Sequence, residues 1–197
     1  MYIQLFIQEN CPYSLRAHFA LEEKNVAYEL TIVNNFNIDE YHDVELPQLK
    51  EREFSISDPE VILSYIEERY PSPSLMPTSV VERARIRLAL RRIECDWYQL
   101  FSTIKTAQDD KVIQEAQTAI IESFLAVEPV FQEQSYFMSD ELTLADCSLG
   151  ALLYLLPSIG IHIDQRFGAL QTYANHLFSR ETFQRVLKKQ GIKQRLT

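Results

Sequence analysis

The chain has 197 residues, 46% of them hydrophobic and only four of them glycine, which is typical of a folded, helix-rich protein and excludes a disordered one. Its formal net charge of −9 falls on residues 1–80, which hold 5 Lys or Arg against 14 Asp or Glu, whereas residues 81–197 hold 14 of each. An acidic N-terminal part repels nucleic acid, so we expect no direct sequence-specific DNA binding, and the asymmetry favours two domains.

The features that would direct a chain to a membrane or out of the cell are absent from the sequence. The opening residues 1–7 carry no basic residue and only a short apolar run, which predicts a strand and not a signal peptide. No apolar stretch approaches the roughly 20 residues that a membrane span needs. Cys11, Cys95 and Cys147 are odd in number and far apart, which argues against a disulfide framework. We therefore expect a cytoplasmic protein that does not contact membranes.

The first 70 residues alternate strands and helices. Pro12 suits the first position of a helix, and Asn25 is expected to end it. The order of elements is that of a thioredoxin-like βαβαββα domain, predicted to occupy residues 1–70. The predicted elements are, in chain order, a buried strand at 2–7, a helix from Pro12 to Asn25, a strand at 27–33, a polar loop with a poor helix at 34–43, strands at 46–49 and 54–57, and a helix at 59–69.

The rest of the chain is a proline-rich connection followed by helices. Three prolines within residues 71–77 block helix continuation, so residues 71–80 are predicted to be an extended linker. Thr143 with Asp146 three positions later predicts a capping box, with Asp in place of the usual Glu or Gln. The predicted helices of the all-helical domain at 81–197 cover 81–107, 111–131, 143–156, 167–179 and 182–190.

Cys11-Pro12-Tyr13-Ser14 resembles the active-site tetrapeptide of monothiol glutaredoxins and of cysteine-type, omega-like glutathione transferases. A thiolate at a helix N-terminus is stabilised by unpaired backbone N–H groups and the helix dipole, which is a mechanism for thiol transfer with Cys11 as the nucleophile. The alternative interpretation is that Cys11 is a relic on a fold that no longer holds glutathione.

Asp58-Pro59 occupies the place where glutathione-binding thioredoxin-like domains carry an acidic residue followed by Ser. In those domains a hydroxyl and a backbone N–H at the helix N-terminus hold the γ-glutamyl carboxylate of glutathione. Proline supplies neither donor. We therefore predict a degenerate glutathione site, although other contacts could still bind glutathione. Its residues are Cys11, Leu46, Pro47, Asp58 and Pro59.

The whole chain resembles the glutathione transferase fold. The resemblance rests on the thioredoxin-like half, the Leu46-Pro47 step and the helix start Leu142-Thr143-Leu144-Ala145-Asp146. It implies an N-terminal thioredoxin-like domain, a C-terminal helical domain and a cis peptide bond between Leu46 and Pro47.

A closer resemblance is to the stringent starvation protein A family, glutathione transferase-like proteins that bind bacterial RNA polymerase. It is carried by residues 65–77, 92–98, 125–131 and 136–141, which lie in both predicted domains. It implies a dimeric transcription regulator without transferase activity or cofactor, which contacts RNA polymerase holoenzyme and its housekeeping sigma factor in starvation or stress. Some members pair with a related subunit, so a heterodimer is an alternative to a homodimer.

The resemblance also implies which segment contacts the polymerase. In the family the contact surface is centred on a Pro-His-Pro segment. The matching residues here are Tyr70, Pro71, Ser72 and Pro73, so Ser replaces the central His. A rigid proline-rich segment suits protein recognition because little conformational entropy is lost on binding.

Two further features have less specific interpretations. Arg83, Arg87 and Arg91 share one helix face, which favours pairing with acidic residues or a dimer contact, with binding of an external anion as the alternative. The four histidines, His18, His42, His162 and His176, are not spaced with cysteines or carboxylates as metal ligands are, so we predict no metal site.

The leading hypothesis is a non-enzymatic transcription regulator that docks on RNA polymerase holoenzyme and changes promoter use or escape. The rival is a glutathione-dependent thioltransferase that uses Cys11. A third alternative is an interaction module for some other protein.

Overall fold

The computed structural model of the chain describes residues 3–34 and 44–191. The loop predicted at 34–43 lies, beyond Asn34, outside the described residues, as does His42. The described elements are β1 (Ile3–Gln8), α1 (Pro12–Glu23), β2 (Glu29–Val33), β3 (Gln48–Glu51), β4 (Phe54–Ile56), α2 (Pro59–Arg69), α3 (Val80–Arg92), a π-helical turn (Ile93–Tyr98), α4 (Gln99–Thr106), α5 (Asp110–Val127), a 3₁₀ segment (Glu128–Gln132), α6 (Leu144–Leu155), 3₁₀ segments (Leu156–Ile159 and Gln165–Phe167), α7 (Gly168–Ser179) and α8 (Glu181–Lys189).

A four-stranded mixed sheet in the order β2-β1-β3-β4 forms the base of the first half of the chain. β1 runs parallel to β2 and antiparallel to β3, and β3 pairs antiparallel with β4. The apolar side chains of the two central strands are buried, among them Leu5, Ile7 and Leu49. This confirms the thioredoxin-like layout that the order of predicted elements indicated.

Both ends of α1 follow from local sequence. Pro12 occupies the first helical position, where its missing N–H costs no helical hydrogen bond. After Glu23 the backbone turns at Asn25, which has a φ of 51° and donates its N–H to the Glu22 carbonyl. Asn is one of the few residues that adopt this left-handed conformation readily, so it ends the helix as predicted.

The chain forms two compact units, Met1–Leu75 together with Ser179–Thr197, and Met76–Phe178. The sequence prediction placed residues 81–197 in one helical domain, whereas α8 belongs to the first unit. The reason is the apolar face of α8, on which Phe183, Val186 and Leu187 are buried at helical spacing. Phe183 packs edge to face on Phe19 of α1, with ring centroids 4.9 Å apart.

The second unit is all helical, and its first predicted helix, at 81–107, is interrupted. The π-helical turn Ile93–Tyr98 separates α3 from α4. In a regular α-helix neighbouring side chains point about 100° apart, whereas the wider turn lets Trp97 and Tyr98 both be buried. Trp97 Nε1 donates to Ser123 Oγ at 2.8 Å, and Tyr98 Oη donates to the Ser148 carbonyl at 2.8 Å.

The helix predicted at 111–131 ends earlier, at Val127, and continues as a 3₁₀ segment. Pro129 explains the change because proline cannot donate the helical hydrogen bond. Glu128 gains a role there: its carboxylate accepts hydrogen bonds from the backbone N–H groups of Ala169 at 2.7 Å and Leu170 at 3.3 Å. It thereby caps the N-terminus of α7, where a negative charge is stabilising.

Helix α6 is the core of the second unit, and its start is fixed by the predicted capping box. Thr143 Oγ1 accepts from the Ala145 N–H, and Asp146 Oδ2 accepts from the Thr143 N–H at 2.7 Å. Asp146 is fully buried, and it also accepts from Thr143 Oγ1, the Phe137 N–H and Tyr173 Oη. Burial raises the pKa of Asp146, and its hydrogen bonds act in the opposite direction.

We expect Asp146→Ala to destabilise the protein by about 3 kcal/mol, because several buried donors lose their acceptor at once. For a chain of this size that lowers the midpoint of thermal unfolding by about 6 to 12 °C. The matched control is Asp140→Ala, which removes an exposed carboxylate. Circular dichroism at neutral pH measures both, and equal midpoints for the two variants would contradict this account of Asp146.

Candidate functional site

The residues singled out in the first 75 positions lie in two places in the first unit. One is the degenerate glutathione site, where α1 and α2 begin. The other is the segment Tyr70–Pro73, called the proline segment below, which follows directly on the end of α2.

The N-terminus of α2 has its hydrogen-bond donors fully used by Asp58. Pro59, the first helical residue, has no N–H. The next two donors, the N–H groups of Glu60 and Val61, each bond Asp58 Oδ1 at 2.9 Å. The Ile62 N–H bonds the Asp58 carbonyl at 2.9 Å. In the first turn of α2, each backbone N–H is therefore either bonded to Asp58 or, at Pro59, absent.

Cys11 is the residue before α1, and it is partly exposed. Its carbonyl accepts the first helical hydrogen bond, from the Leu15 N–H at 3.0 Å, while its side chain makes no capping bond. The Leu46-Pro47 peptide bond is cis, as the resemblance implied. Cys11 and the cis Leu46-Pro47 step therefore lie where the resemblance placed them, and Asp58 and Pro59 form the start of α2.

The proline segment is the most exposed part of the predicted site. Pro71, Ser72 and Pro73 are all exposed, and the peptide bond between Ser72 and Pro73 is cis. Directly after it the chain is buried again, at Leu75 and Met76. An extended linker was predicted over 71–80. Within it the structure shows a short exposed stretch, 71–74, followed by two buried apolar residues, Leu75 and Met76.

Two buried charged residues, which sequence analysis did not single out, hold this stretch in place. Lys24 ends α1, and its Nζ lies 2.5 Å from Glu67 Oε2 and 2.6 Å from the Pro73 carbonyl oxygen. Glu67, on α2, also accepts from Ser74 Oγ and from the Leu75 N–H, both at 2.9 Å. The Lys24 side chain is 0% exposed and that of Glu67 is 9% exposed.

The other end of the proline segment is set by Arg69. Its guanidinium lies over the Tyr70 ring at 5.2 Å and pairs with Glu51, with 3.0 Å between Nη2 and Oε1. Burial raises the pKa of Tyr70, so this phenol stays neutral at physiological pH. Tyr65 Oη donates to the same Glu51 carboxylate. The segment therefore begins and ends on side chains of α2.

The two residues before Lys24 join α1 to α8. Glu23 accepts a bidentate pair of hydrogen bonds from Arg180 at 2.8 and 2.9 Å, and Thr182 Oγ1 donates to it as well. Glu22 accepts from Arg185 at 2.6 Å and from Lys189 at 2.8 Å. Three consecutive charged side chains at the end of α1 are thus buried and paired.

In the second unit the predicted arginine face lies on α3. Arg87 and Arg91 are exposed and Arg83 is partly exposed. The same helix exposes large apolar side chains at Val80, Val81 and Leu88. A helix that presents apolar side chains and arginines to solvent is typical of a protein contact.

Within residues 3–34 and 44–191, no three His, Cys, Asp or Glu side chains are grouped so that they could hold a metal ion. No helix in the described part of the chain is long and apolar enough to cross a membrane. The absence of a metal site stays a prediction.

Comparisons with known proteins agree with the fold. Residues 5–74 match the family model described as the glutathione S-transferase N-terminal domain, and residues 88–181 match that of the C-terminal domain. The chain is 34% identical over 187 residues to the stringent starvation protein A homolog of Haemophilus ducreyi, which covers 92% of this chain and 87% of that protein. The chain belongs to the stringent starvation protein A family.

A second relative supports the family, and a solved structure supports the fold. The stringent starvation protein A homolog of Coxiella burnetii is 32% identical over 182 residues, covering 87% of this chain and 84% of that protein. Among solved structures, the ternary complex of BphK, a bacterial GST, has a TM-score of 0.84 at 20% identity and covers 95% of this chain and 99% of that one. The glutathione transferase fold predicted from the sequence is therefore confirmed, as is the resemblance to this family.

In this member of the stringent starvation protein A family, a buried histidine completes the contact between α1 and α8. Tyr28 donates its proton to Glu22, so it accepts from His18 Nε2 at 2.7 Å, and His18 Nδ1 accepts from Gln190 Nε2 at 2.8 Å. The neutral His18 ring therefore uses both nitrogens in hydrogen bonds, Nε2 as the donor and Nδ1 as the acceptor. Burial lowers the pKa of His18 to about 3, with Glu22 raising it and Lys189 lowering it further.

The pKa of Glu22 is also lowered, but for a different reason. Burial raises the pKa of Glu22, but hydrogen bonds from Lys189, Tyr28 and Arg185 outweigh it and bring the pKa down to about 2. Both groups therefore have a lower pKa in the folded chain than in the unfolded one. Their contribution to stability is present above the unfolded values and is lost as the pH falls, from about 6.5 for His18 and about 4.5 for Glu22.

We expect the pH dependence of stability above pH 5 to come largely from His18. Between pH 7.5 and 5.5 the wild type should lose about 1.4 kcal/mol more than His18→Gln, because Gln donates and accepts without titrating. This corresponds to about 3 to 6 °C in the midpoint of thermal unfolding. His162→Gln, at an exposed position, is the control. The same pH slope in the wild type and in His18→Gln would refute the assignment.

Proposed function

We propose that this protein is a non-enzymatic regulator of bacterial transcription that binds RNA polymerase holoenzyme, including its housekeeping sigma factor, through the proline segment. The observation that carries the proposal is that Pro71, Ser72 and Pro73 are exposed while the residues on either side are fixed. Membership of the stringent starvation protein A family is the reason for proposing RNA polymerase as the partner. The protein would act in the cytoplasm during starvation or stress, by changing promoter use or escape.

The geometry of the proline segment favours recognition of a protein surface. A segment that is already ordered loses little conformational entropy when it binds, so more of the contact energy appears as affinity. The two prolines restrict the backbone further, because the ring of each fixes its φ. Ser72, between them, has a small side chain. Ser72 stands where the family carries His, so we propose the same surface with a smaller central side chain.

The first turn of α2 supports the non-enzymatic part of the proposal. Asp58 occupies the donors of Glu60 and Val61, and Pro59 supplies none. A glutathione carboxylate at this place would therefore lack the hydroxyl and the backbone N–H that Ser supplies at the helix N-terminus. No cofactor is needed for a regulator that acts by protein contact.

We further propose that the protein acts as a homodimer, with a heterodimer of related subunits as the alternative. Each unit exposes large apolar side chains, Phe54 and Val61 in the first, Val81 and Leu88 in the second. Exposed apolar side chains of this size are common at interfaces between subunits.

Replacing Pro71 and Pro73 together by Ala should weaken binding to RNA polymerase holoenzyme by about tenfold, or about 1.4 kcal/mol, while the fold is kept. The matched control is Pro129→Ala with Pro157→Ala, two exposed prolines of the second unit. Size-exclusion co-migration with holoenzyme, with and without sigma factor, measures binding, and the free protein on the same column reports its oligomeric state. Undiminished binding of the Pro71 and Pro73 variant would show that another surface is used.

A glutathione-dependent thioltransferase is the second candidate, and the partly exposed Cys11 at the start of α1 favours it. In that reaction the Cys11 thiolate attacks a mixed disulfide of glutathione and substrate at the glutathione sulfur and releases the substrate thiolate. A second glutathione thiolate then attacks the Cys11–glutathione disulfide, which releases glutathione disulfide and restores Cys11.

Immobilised glutathione separates the two candidates. We expect the wild type to pass through the column and Pro59→Ser to be retained, because Ser restores an N–H and a hydroxyl at the first turn of α2. Val61→Ala, an exposed position two residues further on in the same turn, is the control. Retention of the wild type that disappears in Cys11→Ser would favour the thioltransferase instead.

A further inference from the structure

The exposed proline segment depends on a buried ion pair that lies beneath it. Lys24 Nζ is within hydrogen-bond distance of only two described acceptors that belong to different parts of the first unit, Glu67 of α2 and the Pro73 carbonyl. Lys24 is the C-cap residue that directly follows α1, ahead of the turn at Asn25. The Lys24 ammonium group therefore links the end of α1 directly to the backbone of Pro73.

Glu67 fixes the residues that follow. One carboxylate oxygen accepts from Ser74 Oγ, and the other accepts from the Leu75 N–H as well as from Lys24. Leu75 then enters the core at 2% exposure. Four contacts at consecutive positions, the Pro73 carbonyl, the Ser74 hydroxyl, the Leu75 amide and the Leu75 side chain, hold the exit of the proline segment in one conformation.

Charged side chains are almost never fully buried unless paired. A buried ion pair adds little net stability, because the cost of taking both charges out of water offsets their attraction. Here the conformation that the pair specifies is that of a surface stretch that makes no core of its own. The pair therefore acts on what the segment presents to solvent.

We infer that Lys24 and Glu67 are positioning residues for the proposed polymerase contact, which they make possible by holding Pro71–Pro73 in the binding conformation. This inference rests on the proposed function. Neither side chain reaches the partner itself, because both are buried. If the competent conformation of the segment falls to about a tenth of the population, the apparent dissociation constant rises about tenfold.

The test compares two pairs of substitutions that each neutralise a buried ion pair at the end of α1. Lys24→Met with Glu67→Gln removes the pair under the proline segment. Glu23→Gln with Arg180→Met removes the neighbouring pair, which faces α8. We expect the first variant to bind RNA polymerase holoenzyme about tenfold more weakly than the wild type, and the second to bind within about twofold of it.

A readout of the segment itself accompanies the binding assay. In the wild type the Leu75 amide should exchange its hydrogen slowly and the Ser72 amide fast, since Leu75 donates to the buried Glu67 carboxylate and Ser72 is exposed. In the first variant the Leu75 amide should exchange fast while the amides of β1 stay protected. That combination identifies a local loss of position and not a general loss of structure.

The outcomes are distinct. If the wild type binds polymerase and the Lys24 and Glu67 variant binds equally well, the positioning role is overturned and the proposed function stands. If the wild type does not bind polymerase, the proposed function fails, and the positioning role toward polymerase falls with it. If the Lys24 and Glu67 variant does not fold, the wild-type exchange decides: a slow Leu75 amide supports the role, and a fast one overturns it.

Discussion

The constraint on which the first unit depends is the burial of three consecutive charged side chains, Glu22, Glu23 and Lys24, at the end of α1. Together they are tied to two different parts of the chain, and neither part can be withdrawn without leaving a charge in the core, which is strongly unfavourable. Glu22 and Glu23 hold α8, and Lys24 holds the exit of the proline segment. One helical end therefore organises the C-terminal helix and the candidate binding surface together.

This explains why the compact units do not follow the order of the chain. The apolar face of α8 would find a partner on many surfaces, but Arg185, Lys189 and the preceding Arg180 also pair with the buried carboxylates at the end of α1. Hydrophobic burial supplies the attraction, which is not directional. The charged hydrogen bonds supply the register, because a buried carboxylate left without its partner is far more costly than a misplaced methyl group.

The sequence predicted the local features of the fold and missed the distant ones. Pro12, Asn25 and the Thr143 capping box act within a few residues, so their effect can be read from the neighbouring residues of the sequence. The pairing of Glu23 with Arg180 spans 157 positions, and a charged residue is expected to be exposed unless a partner is known. The proline segment was predicted as a surface, but Lys24 and Glu67 were not, because nothing local distinguishes them from solvated residues.

The two predicted sites differ in what their backbone groups do. At the first turn of α2, the N–H groups of Glu60, Val61 and Ile62 are all bonded to Asp58. At the proline segment, buried charges fix the backbone and the side chains of Pro71–Pro73 are left to solvent. The proposed loss of a glutathione site and the proposed gain of a protein-binding surface therefore involve the same helix, α2. Its N-terminus is capped by Asp58, and its Glu67, about two turns later, anchors the segment.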